Sequence, residues 1–152
     1  MNSLLEQEEK QVTLEWSLFK KKPQKETVEV KLSEMKSIIN KAKALVKAKV
    51  NKLPNLKKFV VYNTEPYDED YDYHEIFSID AWDITSKARD DYEYEHKVEP
   101  IYDMVYDLVK KLNEEIEHNP SFKYFNFDSD GDWDDLSVEI RPRSNYAVKI
   151  TE

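Results

Sequence analysis

Hydrophobic and polar positions alternate, cluster and recur along this chain in ways that predict its elements in order. Val12, Leu14, Trp16 and Leu18 alternate with Thr13, Glu15 and Ser17, the period of a half-buried strand. A lysine-rich stretch with Pro23 reads as a loop. Val28, Val30 and Leu32 then alternate again, so the two runs read as a hairpin. Met35, Ile38, Ile39, Ala42, Leu45, Val46 and Leu53 recur at helical spacing, with Ser33 as the expected N-cap and Pro54 as the expected stop. Phe59-Val60-Val61-Tyr62 centres a buried strand over 57–63. A second strand is expected over 74–84, with Phe77, Ile79 and Ala81 on one face.

After a polar stretch over 86–98, Pro100 fits the start of a helix whose core stripe is Ile101, Met104, Val105, Leu108, Leu112 and Ile116. Asp107 and Lys111 form a supportive pair one turn apart, acid first. Asn119 and Pro120 end this helix. Residues 122–128 and 133–140 read as a hairpin closed by a two-residue Asp130-Gly131 turn, which places Phe125 opposite Leu136. Tyr146, Val148 and Ile150 form a last strand. The expected order is ββ-α-ββ-α-βββ. It belongs to an α+β domain with a mainly antiparallel sheet and two long amphipathic helices on one face. Residues 1–11 read as an N-terminal arm or short helix, and 12–152 as a single domain.

Composition narrows the chemistry. The chain has 152 residues and no cysteine, which excludes disulfides, thiolate metal sites and a thiol nucleophile. Its one glycine, Gly131, leaves no phosphate-cradling loop and no nucleophile elbow. Met1 to Lys10 lacks the basic and apolar regions of a signal peptide, and no apolar run has the length of a membrane span. The expected localisation is cytoplasmic.

Charge is divided along the chain. Residues 1–58 carry a net +7, with fourteen Lys and seven Glu, and residues 59–152 carry −16. The lysines lie around Lys20 to Lys25 and on the first long helix, where a solvated face is the expected role. They lack the interleaved aromatic residues of a nucleic-acid stacking platform, so direct nucleic-acid binding is not expected. The acidic half concentrates two tyrosine-bearing patches. The first is Tyr67, Asp68, Glu69, Asp70, Tyr71, Asp72 and Tyr73; the second is Asp90, Asp91, Tyr92 and Glu93. Tyrosine supplies rigid amphipathic contact area, and dense negative charge steers basic partners. These eleven residues are the expected partner-binding set.

The remaining motifs are explained without chemistry. Asn126, Asp128, Asp130 and Gly131 match half of a calcium loop, but Ser137 stands where the bidentate Glu belongs, so a hairpin turn is expected. Four Glu-x-Lys pairs occur, about the number that chance usage produces. His74, His96 and His118 have no metal-ligand spacing, and His74 is expected at a strand end or facing solvent. No catalytic constellation, cofactor or metal is expected. An alternative reading builds a carboxylate-based or metal-assisted enzyme site from Asp68, Asp70, Asp72, His74 and Glu75.

The segment from about Ile38 to Ile140 resembles the YezG-type immunity proteins, which neutralise nuclease toxins. The resemblance lies in the layout of "KLPNLKKFVVYNTE", "HEIFSID", "IYDMVYDLVKKLNEEI" and "FKYFNFDSDGDWDDLSVEI". It implies helix, strand pair, helix and hairpin in that order, and a non-catalytic acidic antitoxin with a basic protein partner. The hairpin from Val12 to Leu32 departs from that layout. A phage or mobile-element inhibitor of a host defence nuclease, acting by nucleic-acid mimicry, would present the same surface.

Overall fold

Apolar residues on alternate positions draw four strands into one antiparallel sheet in the computed structural model, which describes residues 25–80, 96, 98–131 and 135–152. The strands are β1 (Glu26–Lys31), β2 (Val60–Tyr62), β3 (His74–Asp80), β4 (Phe125–Gly131), β5 (Asp135–Pro142) and β6 (Tyr146–Thr151). The helices are α1 (Leu32–Val50), a single turn α2 (Pro54–Lys57) and α3 (Glu99–Ile116). The four-stranded sheet has the order β2-β3-β5-β4, all antiparallel. The protein is therefore α+β, and none of its described helices is long and apolar enough to cross a membrane.

Both long helices bury one stripe. In α1 it is Met35, Ile39, Ala42, Val46 and Val50; in α3 it is Ile101, Val105, Leu108, Leu112 and Ile116. Spacings of three and four residues keep each stripe on one side of a 3.6-residue helix. These stripes meet Phe77, Ile79, Leu136, Val138, Ile140, Phe125 and Phe127 in one core. Lys49 and Glu115 tie the helices at 2.8 Å, and Asp107 and Lys111 form the expected i,i+4 pair at 2.9 Å.

Helix boundaries depart from expectation for identifiable reasons. β1 runs straight into α1, and Lys31, still paired with Thr151, already has the extended conformation of an N-cap. Ser33 therefore lies inside the first turn and does not cap it. α1 ends at Val50, before Leu53, and Pro54 opens α2 at a position where a missing N–H costs nothing. Lys57 belongs to α2, so β2 is only three residues long. β2 is an edge strand rather than a buried one, with Val61 62 % exposed. Phe122 lies in a 3₁₀ turn (Pro120–Phe122) and not in β4, held there as Asn119 Oδ1 accepts from Ser121 N.

The β4–β5 register also differs. Phe125 faces Pro142, and Gly131, within the strand, faces Leu136. Gly131 has no positive φ, so it is not the primed-turn residue. The partner of Phe125 moves from Leu136 to Pro142, an even number of places. The same side chains thus still face the core, because side chains alternate with a period of two. A Cβ on Gly131 would stand 2.6 Å from Leu136 Cδ1, so close packing is what the glycine serves here.

β1 and β6 form a separate two-stranded parallel sheet, with Val28 beside Val148 and Val30 beside Ile150. A parallel pair needs a long crossover, and the rest of the domain provides it. The arm over 1–11, the strand over 12–18 with its hairpin to β1, Ala81, most of 86–98 and the residues just after Gly131 lie outside the described residues.

Helix α3 is fastened to the edge strand β4 by one side chain. Asn113 Nδ2 donates to Phe127 O at 2.9 Å, and Asn113 Oδ1 accepts from Phe127 N at 2.8 Å. The amide thus pairs both backbone groups that an edge strand leaves open. Asn113→Ala is expected to cost about 1–3 kcal/mol, because both groups are left half-buried. Asn113→Asp should cost at least as much, since its carboxylate meets the Phe127 carbonyl oxygen. Urea unfolding midpoints test this; an unchanged midpoint for Asn113→Ala would show that water replaces the amide.

Candidate functional site

The acidic run between β2 and β3 is built on turns that its own polar side chains close. Asn63 N donates to Ile76 O at 2.9 Å, its Nδ2 donates to Glu75 O at 3.0 Å, and its Oδ1 accepts from Glu65 N at 3.0 Å. One asparagine therefore joins the start of the loop to its end. Further on, Asp68 Oδ1 accepts from Asp70 N at 2.9 Å and Asp68 O accepts from Tyr71 N at 3.3 Å. This is a side-chain-closed turn of the kind that Asp favours.

The turn presents Asp68, Glu69, Asp70 and Asp72 to solvent, and residues 63–75 contain no Lys or Arg. Tyr71 is 54 % exposed and Tyr73 36 %, with their ring centroids 5.7 Å apart. Tyr67 packs against the core and lies 6.1 Å from the His74 ring, nearly parallel to it. Burial, then the charges of Glu69, Asp72 and Asp68, push the Tyr67 phenol up, so it stays protonated as a donor. The first expected patch is thus one continuous surface. Asp90, Asp91, Tyr92 and Glu93 lie outside the described residues.

Tyr71 and Tyr73 form a wall shared by two hollows. One, of about 310 Å³, lies toward β6 and includes Tyr67, Glu69, Asp72 and Lys149. The other, of about 360 Å³, lies toward β3 and includes Glu65, Asp68, His74 and Glu75. The five residues of the alternative enzyme site are therefore divided: Asp68, His74 and Glu75 border one hollow, Asp72 the other, and Asp70 neither. Among the described residues no group of three or more His, Asp or Glu is placed to hold a metal ion.

His74 is the first residue of β3, as expected at a strand end, but it is buried at 5 % exposure rather than facing solvent. The cause is a bulge. His74 pairs with Ile140 and Phe77 with Val138, leaving Ile76 as an extra residue between them. The bulge shifts the alternation by one, so His74 and Phe77 both turn toward the core side. Burial, reinforced by Lys43 and opposed by Glu65, holds the imidazole below its ordinary value of 6.5. Its Nε2 is buried without a hydrogen-bond partner.

Behind this wall the outer face of the sheet carries a charged row. Glu139 stands beside Glu75 on β3 and Asp128 on β4, and is only 1 % exposed. Arg141 Nε donates to Glu139 Oε1, and the guanidinium lies 3.8 Å from Asp128, 3.9 Å from Asp130 and 5.0 Å from the Tyr73 ring centroid. Asp128 and Asp130, which match half of a calcium loop, are strand residues facing this arginine, so Asp130 is not in the turn where it was expected. Burial pushes Glu75 and Glu139 above the ordinary carboxylate value; for Glu139, Arg141 pulls the other way.

The lysines of α1 form a solvated face. Lys36, Lys41 and Lys47 are exposed; Lys41 reaches Ser121 Oγ at 3.0 Å, and Lys47 lies 5.0 Å over the Tyr62 ring. Sequence reading passed over Asn63, Glu139 and Arg141. A signal existed for the last, since arginine is rare in a chain rich in lysine. Glu139 left none, because its place between Val138 and Ile140 has the alternation of an ordinary solvent-facing residue. Comparison with protein-family models, with curated proteins and with solved structures gave no match to this chain.

Proposed function

We propose that this chain is a small acidic binding protein of the cytoplasm, an inhibitor or immunity protein that neutralises a basic partner such as a nuclease through the surface from Tyr67 to Tyr73. The observation that carries this reading is the loop itself: five carboxylates with exposed paired tyrosines, held by Asn63 and Asp68 rather than left as a slack solubilising tail. A surface fixed before binding loses less conformational entropy on association. Its charge speeds encounter with a basic protein, and its tyrosines supply contact area. The YezG-type resemblance agrees with such a role.

The test is capture of a partner from native-host lysate at low and moderate salt, followed by titration of the purified partner. Joint replacement of Asp68, Asp70 and Asp72 by lysine is expected to weaken binding by at least about 10-fold, mostly through slower association. The melting temperature should move by less than about 3 °C, because all three side chains are exposed. Undiminished affinity in the reversed variant would remove this loop from the interface.

A further inference from the structure

The two edges of the four-stranded sheet are finished differently. At β4, Asn113 pairs both open backbone groups of Phe127. At β2, which has β3 on one side, no such cover stands on the other side among the described residues. Asn63 N donates to Ile76 O, so the antiparallel ladder turns the backbone groups of Val61 and Asn63 toward β3 and those of Val60 and Tyr62 outward. Side chains alternate as well. Val60 and Tyr62 pack on the core, which leaves Val61 on the outer face as the most exposed of the large hydrophobic side chains described. The two ends of the strand carry opposite charge: Lys57 and Lys58 precede it, Glu65 follows it, and all three are exposed. An uncovered edge of this kind is a template for another strand.

We propose that β2 is the contact of a homodimer, in which β2 of a second copy of this chain lies antiparallel to it about a two-fold axis at Val61. The choice of occupant follows from the strand's own symmetry. In that register Val60 of each copy faces Tyr62 of the other. These are the residues with outward backbone groups, so about four backbone hydrogen bonds form across the axis. The two Val61 side chains meet at the axis as a non-hydrogen-bonded pair, the closer kind, with Cβ atoms about 4.5–5.5 Å apart. The lysine end of each strand comes beside the Glu65 end of the other. A parallel arrangement would set lysine beside lysine and glutamate beside glutamate. A contact that maps onto itself in this way is isologous and closes at two chains. With three residues in the strand the contact is small, so the dimer is weak and dissociates on dilution.

The experiment follows the full chain by sedimentation equilibrium from about 10 µM to about 1 mM, in about 150 mM salt to screen the net charge of −9. The average mass is expected to rise toward twice that of one chain. Hydrogen exchange at the Val60 and Tyr62 amides should slow with concentration, while that at Val61, already bonded to β3, should not. Val61→Lys sets two like charges together at the axis and should weaken association at least about 10-fold. Its side chain is exposed, so the melting temperature should stay within about 3 °C of the parent's. Lys57→Glu and Glu65→Lys should each weaken association about 5-fold, and the two changes together should restore it, since the swap recreates ends of opposite charge. A mass that stays at one chain up to about 1 mM overturns the proposal. So does a dimer that Val61→Lys leaves intact, or one in which the double charge change is no better than either single change, since the contact would then lie elsewhere or run in another register.

Discussion

Phe77→Ala is expected to remove about 3–5 kcal/mol of folding stability, the loss that truncating a fully buried phenylalanine brings. Phe77 is fully buried on β3, the strand that β2 and β5 flank, and it lies opposite Tyr62 on one side and Val138 on the other. The Tyr62 ring meets it edge-on at 6.2 Å. Truncation therefore forfeits the transfer of a benzyl group and opens a cavity between two strands that cannot both move in. Natural domains of this size have about 5–15 kcal/mol in total, so the variant should be partly unfolded at 37 °C. Phe77→Leu keeps most of the volume and should cost under about 1.5 kcal/mol. Val61→Ala, on the exposed side of β2, should stay within about 0.5 kcal/mol. Urea titration with a common m-value separates the three. Similar losses for Phe77→Ala and Val61→Ala would mean that β3 presents the wrong face to the core.

The contrast between Phe77 and its neighbours shows where pattern reading carries and where it stops. The stripes Met35-Ile39-Ala42-Val46 and Ile101-Val105-Leu108-Leu112 are legible because a helix has only one way to put three- and four-residue spacings on one side. The inward faces of β4 and β5 are legible for the same reason, with a period of two. Their register is not, since a shift by an even number of residues leaves every inward side chain inward, and the Asp-Gly signal then chooses the wrong turn. Alternation in Val28-Val30 and Val148-Ile150 likewise names a face but not a neighbour, so the parallel pairing of β1 with β6 stays hidden. The candidate loop was legible as an exposed surface, because five acids without a counter-ion do not bury. Its rigidity was not, because it depends on Asn63 bonding across the loop to Glu75. His74 was misjudged through the bulge at Ile76, which no local pattern announces.

Arg141→Met is the second large expected effect, and its sign with pH identifies the cause. Burial pushes the Glu139 carboxyl up from its ordinary value near 4.5; the hydrogen bond and charge of Arg141 oppose this, while Asp130 and Asp128 add to it. Without Arg141, every remaining influence disfavours the carboxylate. At neutral pH the native state must then either hold an unpaired buried charge or take up a proton. The cost is about 2–4 kcal/mol, toward the lower end of the range for broken buried pairs because Arg141 is itself 37 % exposed. A raised native pKa contributes stability that is complete below the unfolded value and is lost as pH rises through the native one. The variant should therefore approach the parent at about pH 4.5 and fall furthest behind at about pH 8. Glu75, also raised, and His74, lowered, tilt both proteins alike and drop out of the difference. Adding Glu139→Gln to Arg141→Met should recover most of the loss and flatten its pH dependence, because a neutral amide in that site has no charge to strand. A deficit equal at the two pH values, and unrelieved in the double variant, would trace the role of Arg141 to its packing on Tyr73, making the tyrosine wall rather than the buried carboxylate the reason for an arginine at this position.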